Sequence, residues 1–261
     1  MRMKTMSWPA RVLAACMLLS PVVLSGAVPS VAEAAEPTID ELLDATDDAT
    51  RGTSSHGKMV MQVKTDRYER SLKMEVWTRG TEDSLIRILE PAREKGVSTL
   101  KVGDNIWNYL PKVDRTLKIS GAAMSGAWMG SHISNDDLVK QSRMKVDYTA
   151  SLVGKPAADG SGAYRIELVP KPDAPVVWGK LAVEVRADKQ PLKVEYFDEK
   201  GELVRTMKFL DIREMGGRTF PATLRVEPAD KPAEFTEVRY DEMAFDVELD
   251  DRVFSLQSLK R

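Results

Sequence analysis

The sequence predicts a mainly β protein, with one large, curved antiparallel sheet and a few helices. Three observations carry this. From residue 58 onward, apolar side chains recur at every second position in short runs. Brief polar or glycine-containing turns join the runs. Helix-period material is confined to the stretch after residue 36 and to residues 121–142. About ten or eleven strands in one continuous domain are expected, and a sheet of that size needs an edge or a face covered.

Residues 1–34 read as an address rather than as part of the fold. Arg2, Lys4 and Arg11 precede the apolar run "VLAACMLLSPVVLSGAV", and "AEA" at 32–34 supplies the small-x-small pattern read by signal peptidase. Pro21 interrupts the run, which argues against a retained membrane helix. "LAAC" at 13–16 has lipobox residue types, but the main apolar run follows Cys16 instead of ending at it. Cleavage after Ala34 leaves about 227 residues with a net charge of about −4. Cys16 is the sole cysteine, so a domain spanning 35–261 has no disulfide, no catalytic thiol and no cysteine metal ligand. Mild acidity with interspersed charge argues against nucleic acid as a partner.

The first folded element is an amphipathic helix in "EPTIDELLDATDDAT". Thr38 and Glu41 form a capping-box pair, and Ile39, Leu42, Leu43 and Thr46 share one face. "RGTSSHG" ends it and the period changes to two. Met59, Met61 and Val63 share a face, as do Leu72, Met74 and Val76, with Ser71, Lys73, Glu75 and Trp77 opposite. "SLIRILE", "VSTLKVG", "NIWNYLP" and "RTLKIS" continue the meander. A second series begins near residue 148 with "DYTASLVG" and "AYRIELVP", and ends in "FTEVRYDEMAFD". "DEKG" at 198–201 and "MGGR" at 215–218 mark its turns.

Between the two series lies "AWMGSHISNDDLVK" (127–140), where His132, Ser134, Asn135, Asp136 and Asp137 crowd together. As a metal site it is poor, because a zinc centre wants two or three nitrogen or sulfur ligands and only His132 is in reach. Ser134 or Asn135 as N-cap, with Asp136 and Asp137 in the first helical turn, accounts for the same residues through the helix end they stabilise. Neither Ser125 nor Ser131 sits in a nucleophile elbow. His56 and His132 have no orienting carboxylate identifiable from sequence, and no phosphate-binding glycine loop occurs. No enzyme activity and no cofactor are expected.

The apolar inventory says more. Thirteen methionines include Met59, Met61, Met74, Met124, Met129 and Met144, soft side chains that adapt to irregular partners. "SGAAMSGAWMGS" is apolar and interrupted by Gly121, Gly126 and Gly130, a poor rigid helix and a candidate mobile lid.

"MEVWTRG" followed by "IRILEP", "LKVGDNIWNYLPKVDRTLKI", "AWMGSHISNDDL", "QPLKVEYFDEKGELVRTMKFLDIREMGGRTFPATLRV" and the final "FSL" together resemble the outer-membrane lipoprotein-sorting, LolA-like family. The resemblance spans nearly all of residues 35–261 and accumulates over many short segments. It implies an unclosed β-barrel with a helical lid over a hydrophobic cavity that carries acyl chains across the periplasm. The implied partners are a lipoprotein or lipid, an inner-membrane transporter and an outer-membrane acceptor. Within this frame Met74, Trp77, Trp107, Tyr109, Met124, Trp128 and Met129 are the expected cavity and lid residues. Arg79 matches the family arginine that latches the lid, although Gly80 follows it where the family has proline. An accessory or regulatory module, sensing lipoproteins or assisting a lipid-exporting transporter, is the alternative in a different class. A periplasmic hydrolase, the third reading, lacks a convergent polar site.

Overall fold

The capping box expected at Thr38 forms. Thr38 N donates to Glu41 Oε2 at 3.0 Å, and Glu41 N donates to Thr38 Oγ1 at 3.2 Å, so two otherwise orphaned N–H groups are satisfied. In the computed structural model, which describes residues 36–140, 143–157 and 161–261, this box opens α1 (Ile39–Asp48). The expected leader over residues 1–34, with Cys16 in it, lies outside the described residues. Residues Pro37–Arg261 form one compact unit.

Every alternating run becomes a strand. In chain order they are β1 (Ser54–Lys64), β2 (Glu69–Arg79), β3 (Asp83–Glu90), β4 (Ser98–Val102), β5 (Asn105–Leu110), β6 (Arg115–Lys118), β7 (Tyr148–Gly154), β8 (Ala163–Pro170), β9 (Lys180–Arg186), β10 (Pro191–Phe197), β11 (Leu203–Met215), β12 (Arg218–Pro228) and β13 (Phe235–Phe245). Among the described residues these make thirteen strands, more than the ten or eleven expected, in one antiparallel sheet of order β6-β5-β4-β3-β2-β1-β13-β12-β11-β10-β9-β8-β7. The short edge strand β6, with four exposed residues, forms from the expected run "RTLKIS". The sheet is unclosed: β6 and β7 are its two edges. Its central seam is the pairing of the first strand with the last, from Ser55 opposite Phe245 to Lys64 opposite Phe235.

Among the described residues, the connection between the two edges holds the remaining α-helical structure. Residues 121–140 are not one helix. They comprise short 3-10 turns at Gly121–Ala123 and Trp128–Gly130, then α2 (Asn135–Lys140), with α3 (Met144–Asp147) following. Met129 and Gly130 both have positive φ (52° and 66°), which breaks any continuous helix there.

One sheet face, the inner one, carries two linked apolar clusters. Under β7–β12, Leu42 and Leu43 of α1 pack on Ile166, Leu181, Val183, Val194 and Met207. Under β1–β3 and β13, Met59, Met61, Leu72, Met74 and Val238 pack with Trp128. Ile133 and Leu224 touch both clusters. The opposite, outer face is covered at the β3–β5 end, where Phe254 and Leu259 of the C-terminal segment bury Leu85, Leu100 and Tyr109.

Candidate functional site

The inner face closes around a cavity lined by residues of six strands and of the 127–138 segment. Met59, Val76, Ile86, Met207, Val226, Val238, Tyr240 and Met243 form its walls, with Trp128, Ile133 and Leu138 over them. Ile86 on β3 and Met207 on β11 stand five strand spacings apart in the sheet, roughly 24 Å if it were flat. Both line the same cavity, so the sheet curls around it. About 900 Å³ is empty, counting the part open to solvent.

The roof is tied down along one rim by polar contacts. Arg205 on β11 forms a bidentate pair with Asp137 (Nη1 to Oδ2 2.8 Å, Nη2 to Oδ1 2.5 Å), and Nη1 also donates to the His132 carbonyl at 2.9 Å. The guanidinium stacks on Tyr196 and Trp178, at 4.3 and 4.6 Å from the ring centroids. Burial pulls the Arg205 pKa down, but the hydrogen bond and charge of Asp137, with Tyr196, outweigh it and hold it above the usual guanidinium value. His132 bonds to Thr236 Oγ1 through Nδ1 (2.9 Å) and to Glu234 Oε2 through Nε2 (3.1 Å). Tyr68 Oη donates to the Gly130 carbonyl, and Arg70 Nη1 to that of Met129 at 3.1 Å. Ser134 and Asp137 make a reciprocal capping box, Ser134 N to Oδ2 at 2.7 Å and Asp137 N to Ser134 Oγ at 3.1 Å. The crowded polar stretch is thus a helix start and a set of anchors. Among the described residues, no group of three or more His, Cys, Asp or Glu is placed to hold a metal.

The residues expected at the site divide by strand parity. Trp128 lines the cavity, is 2% exposed, and donates its indole N–H to Thr99 Oγ1 at 3.0 Å. Met74 is buried in the same apolar layer, and Met129 packs against it. Trp77, Trp107 and Tyr109 do not reach the cavity. They lie on the outer face, because the cavity takes Val76 and Thr78 from β2, with Met74 buried on the same side, and the alternation sends Trp77 the other way. There Trp77 stacks on His56 at 5.0 Å, while Trp107 and Tyr109 pack with the C-terminal segment. Met124 borders an outer hollow with Gly121, Val139 and Arg143 instead of the cavity. Arg79 pairs with Asp83 (2.7 Å) and with Asp251, and lies 4.8 Å over Phe254. It therefore fastens the C-terminal segment, not the roof. The roof's own latch, Arg205, is not singled out by sequence because its partner lies 68 residues away.

A second hollow beneath α1 is bounded by Thr46, Asp47, Asp136, Asp137, Tyr148 and Trp178. Asp47 Oδ1 is buried there without a hydrogen-bond partner. Burial pushes this carboxyl from 3.8 up to about 7, against the lowering pull of Arg51. Between those two values the folded protein holds a proton that the unfolded chain has released. Stability therefore falls as pH rises from about 4 to about 7 and levels off above that. Asp47→Asn is expected to raise the Tm at pH 8 and leave it nearly unchanged at pH 4; an equal shift at both would show that the carboxyl is not strained by burial.

Strand order, unclosed sheet and roofed inner face together match a LolA-like fold. A DUF1329 family protein from Desulfovibrio piger aligns with a TM-score of 0.75 and 24% identity, over 84% of this chain and 96% of that one. An outer membrane lipoprotein-sorting protein domain from Vibrio parahaemolyticus aligns with a TM-score of 0.69 and 22% identity, covering 85% and 96% of the two chains. A LolA superfamily protein from Nitrosomonas europaea gives 0.69 and 24%, covering 85% and 99%. Residues 80–261 match the model of a family described as "uncharacterized protein", and the chain belongs to that family. No curated protein matches it.

Proposed function

We propose that the protein is a periplasmic carrier, exported by the leader in residues 1–34, that takes the acyl chains of a lipoprotein or lipid into the inner-face cavity. It shields them from water and hands them on towards the outer membrane, with no covalent step. The observation that supports this most is the apolar cavity under a roof held to one rim by an ion pair and hydrogen bonds. Each buried CH2 of a chain contributes roughly 0.8 kcal/mol, so apolar walls alone can retain one. Among the described residues no helix is long and apolar enough to cross a membrane.

The experiment is solvent extraction of the purified protein followed by mass spectrometry, together with uptake of a fluorescent fatty acid. Co-purified lipid and saturable uptake are expected. Absence of both would remove the carrier reading. It would favour an accessory or regulatory module that binds a protein partner, for which the exposed Leu110, Val113 and Leu117 beside edge β6 offer a surface.

A further inference from the structure

The inner face is not apolar throughout, and strand register shows where it changes. Val238, Met61 and Leu72 stand opposite one another in one cross-strand row, and Tyr240, Met59, Met74 and Ile88 in the next that faces the same way. The row after that runs Met243, Gly57, Val76, Ile86, Thr99 and Asn108. The last runs Ser55, Thr78, Ser84 and Lys101 across β1 to β4. Ser55, Thr78 and Ser84 line the cavity, as do Thr50 and Arg51 from the turn after α1. One end of the cavity is therefore polar, and the cations beside it are Arg51 and Lys101.

Lys101 is only 2% exposed, which is rare for a lysine without a carboxylate partner. Its ammonium donates to two main-chain carbonyls of the β2–β3 turn, Thr81 at 2.5 Å and Glu82 at 3.1 Å. An ammonium has three N–H groups, and these bonds use two. Among the described residues no carboxylate lies within ion-pair distance, 4 Å, of either Lys101 or Arg51. Glu82, Asp83 and Asp104 are near enough to Lys101 to favour its charge, but Asp83 is already held by Arg79 and Asp104 lies 3.6 Å from Arg143. Burial, reinforced by Arg51, drives the Lys101 pKa down to about 8. The cations gain from any anion that enters, and the neighbouring serine and threonine hydroxyls can donate to it.

We infer that the cavity is built for an anionic amphiphile, an acyl chain over the methionine rows and a carboxylate or phosphate head at the Ser55–Thr78–Ser84 end beside Arg51 and Lys101. This rests on the carrier reading and adds the class of head group to it. Ser55 and Thr78 share one hydrogen bond between their hydroxyls at 2.7 Å, which leaves one hydroxyl hydrogen of that pair, and that of Ser84, to donate to a head group; a bare hydrocarbon would offer them no acceptor.

The test uses protein exported from the full chain and a neutral fluorescent probe displaced by amphiphiles that share one tail: palmitate, hexadecyl phosphate, hexadecanol and hexadecyltrimethylammonium. The anions are expected to displace the probe at concentrations about tenfold or more below hexadecanol, with the ammonium weakest. The order of palmitate and hexadecyl phosphate tells a carboxylate head from a phosphate one. Lys101→Met and Arg51→Gln are each expected to shrink the anion preference while leaving hexadecanol unchanged. Equal displacement by hexadecanol and the anions overturns the head-group inference but keeps the carrier. Displacement by none of them overturns both. An undiminished anion preference in both variants shows that the head sits elsewhere. Should Lys101→Met fail to fold by circular dichroism, Arg51→Gln on the turn decides alone.

Discussion

Arg205→Ala is expected to lower stability by about 3–5 kcal/mol, because it leaves the Asp137 carboxylate buried without its partner. The guanidinium also fills the space against Tyr196 and Trp178 and satisfies the His132 carbonyl, so packing and a hydrogen bond go with it. Asp137→Asn removes the charge, leaves Arg205 unpaired and weakens the Ser134 cap, so a loss of similar size is expected. A double variant, Arg205→Met with Asp137→Leu, should recover much of the loss, since a buried pair replaced by apolar groups is often near neutral. Urea unfolding gives these differences. Hydrogen exchange locates them: amides of residues 128–139 should exchange faster in the single variants, with those of β8–β10 little changed relative to global stability. Uniform change across the sheet would mean that Arg205 supports the core generally and does not latch the roof. If the roof gates the cavity, bound fatty acid should leave Arg205→Ala faster than it leaves the parent.

Trp128→Ala is expected to be nearly as severe, about 3–5 kcal/mol, through the cavity left in the roof. Its indole fills the space among Met59, Val76 and Ile86, and its N–H satisfies Thr99. Trp128→Phe separates the two contributions: it keeps most of the ring, and losing one hydrogen bond costs about 1 kcal/mol. For binding, Trp128→Glu is the sharper change. It puts a carboxylate among Met59, Val76 and Ile86, and uptake of a fluorescent fatty acid should fall at least tenfold. Unchanged uptake in a folded Trp128→Glu protein would mean that the chain does not pass beneath this residue.

The strands, their order of appearance, the α1 capping box and the helix start at Ser134 were legible because each depends on residues a few positions apart. Parity was legible too: Trp77 stands opposite Met74 and Val76 by counting alone. Which parity faces the cavity was not, since β2–β5 carry apolar side chains on both faces and the outer ones are buried by a C-terminal segment more than a hundred residues away. The same distance effect hid Arg205, whose charge is neutralised across the fold, whereas Arg79 was named as latch from the family resemblance alone. The polar row of Ser55, Thr78, Ser84 and Lys101 was hidden for another reason. Each member is an ordinary residue in its own strand, and only the register of four strands makes them neighbours.

The seam between β1 and β13 has a consequence for how the molecule is made. The two halves of the inner wall are joined along residues near opposite ends of the chain, so neither half can enclose anything until the final strand arrives. Loop closure on that scale is slow compared with forming local hairpins. A chain delivered N-terminus first will hold β1–β6 as an open, partly apolar meander while the rest emerges. The inner wall is complete only once β13 has paired with β1.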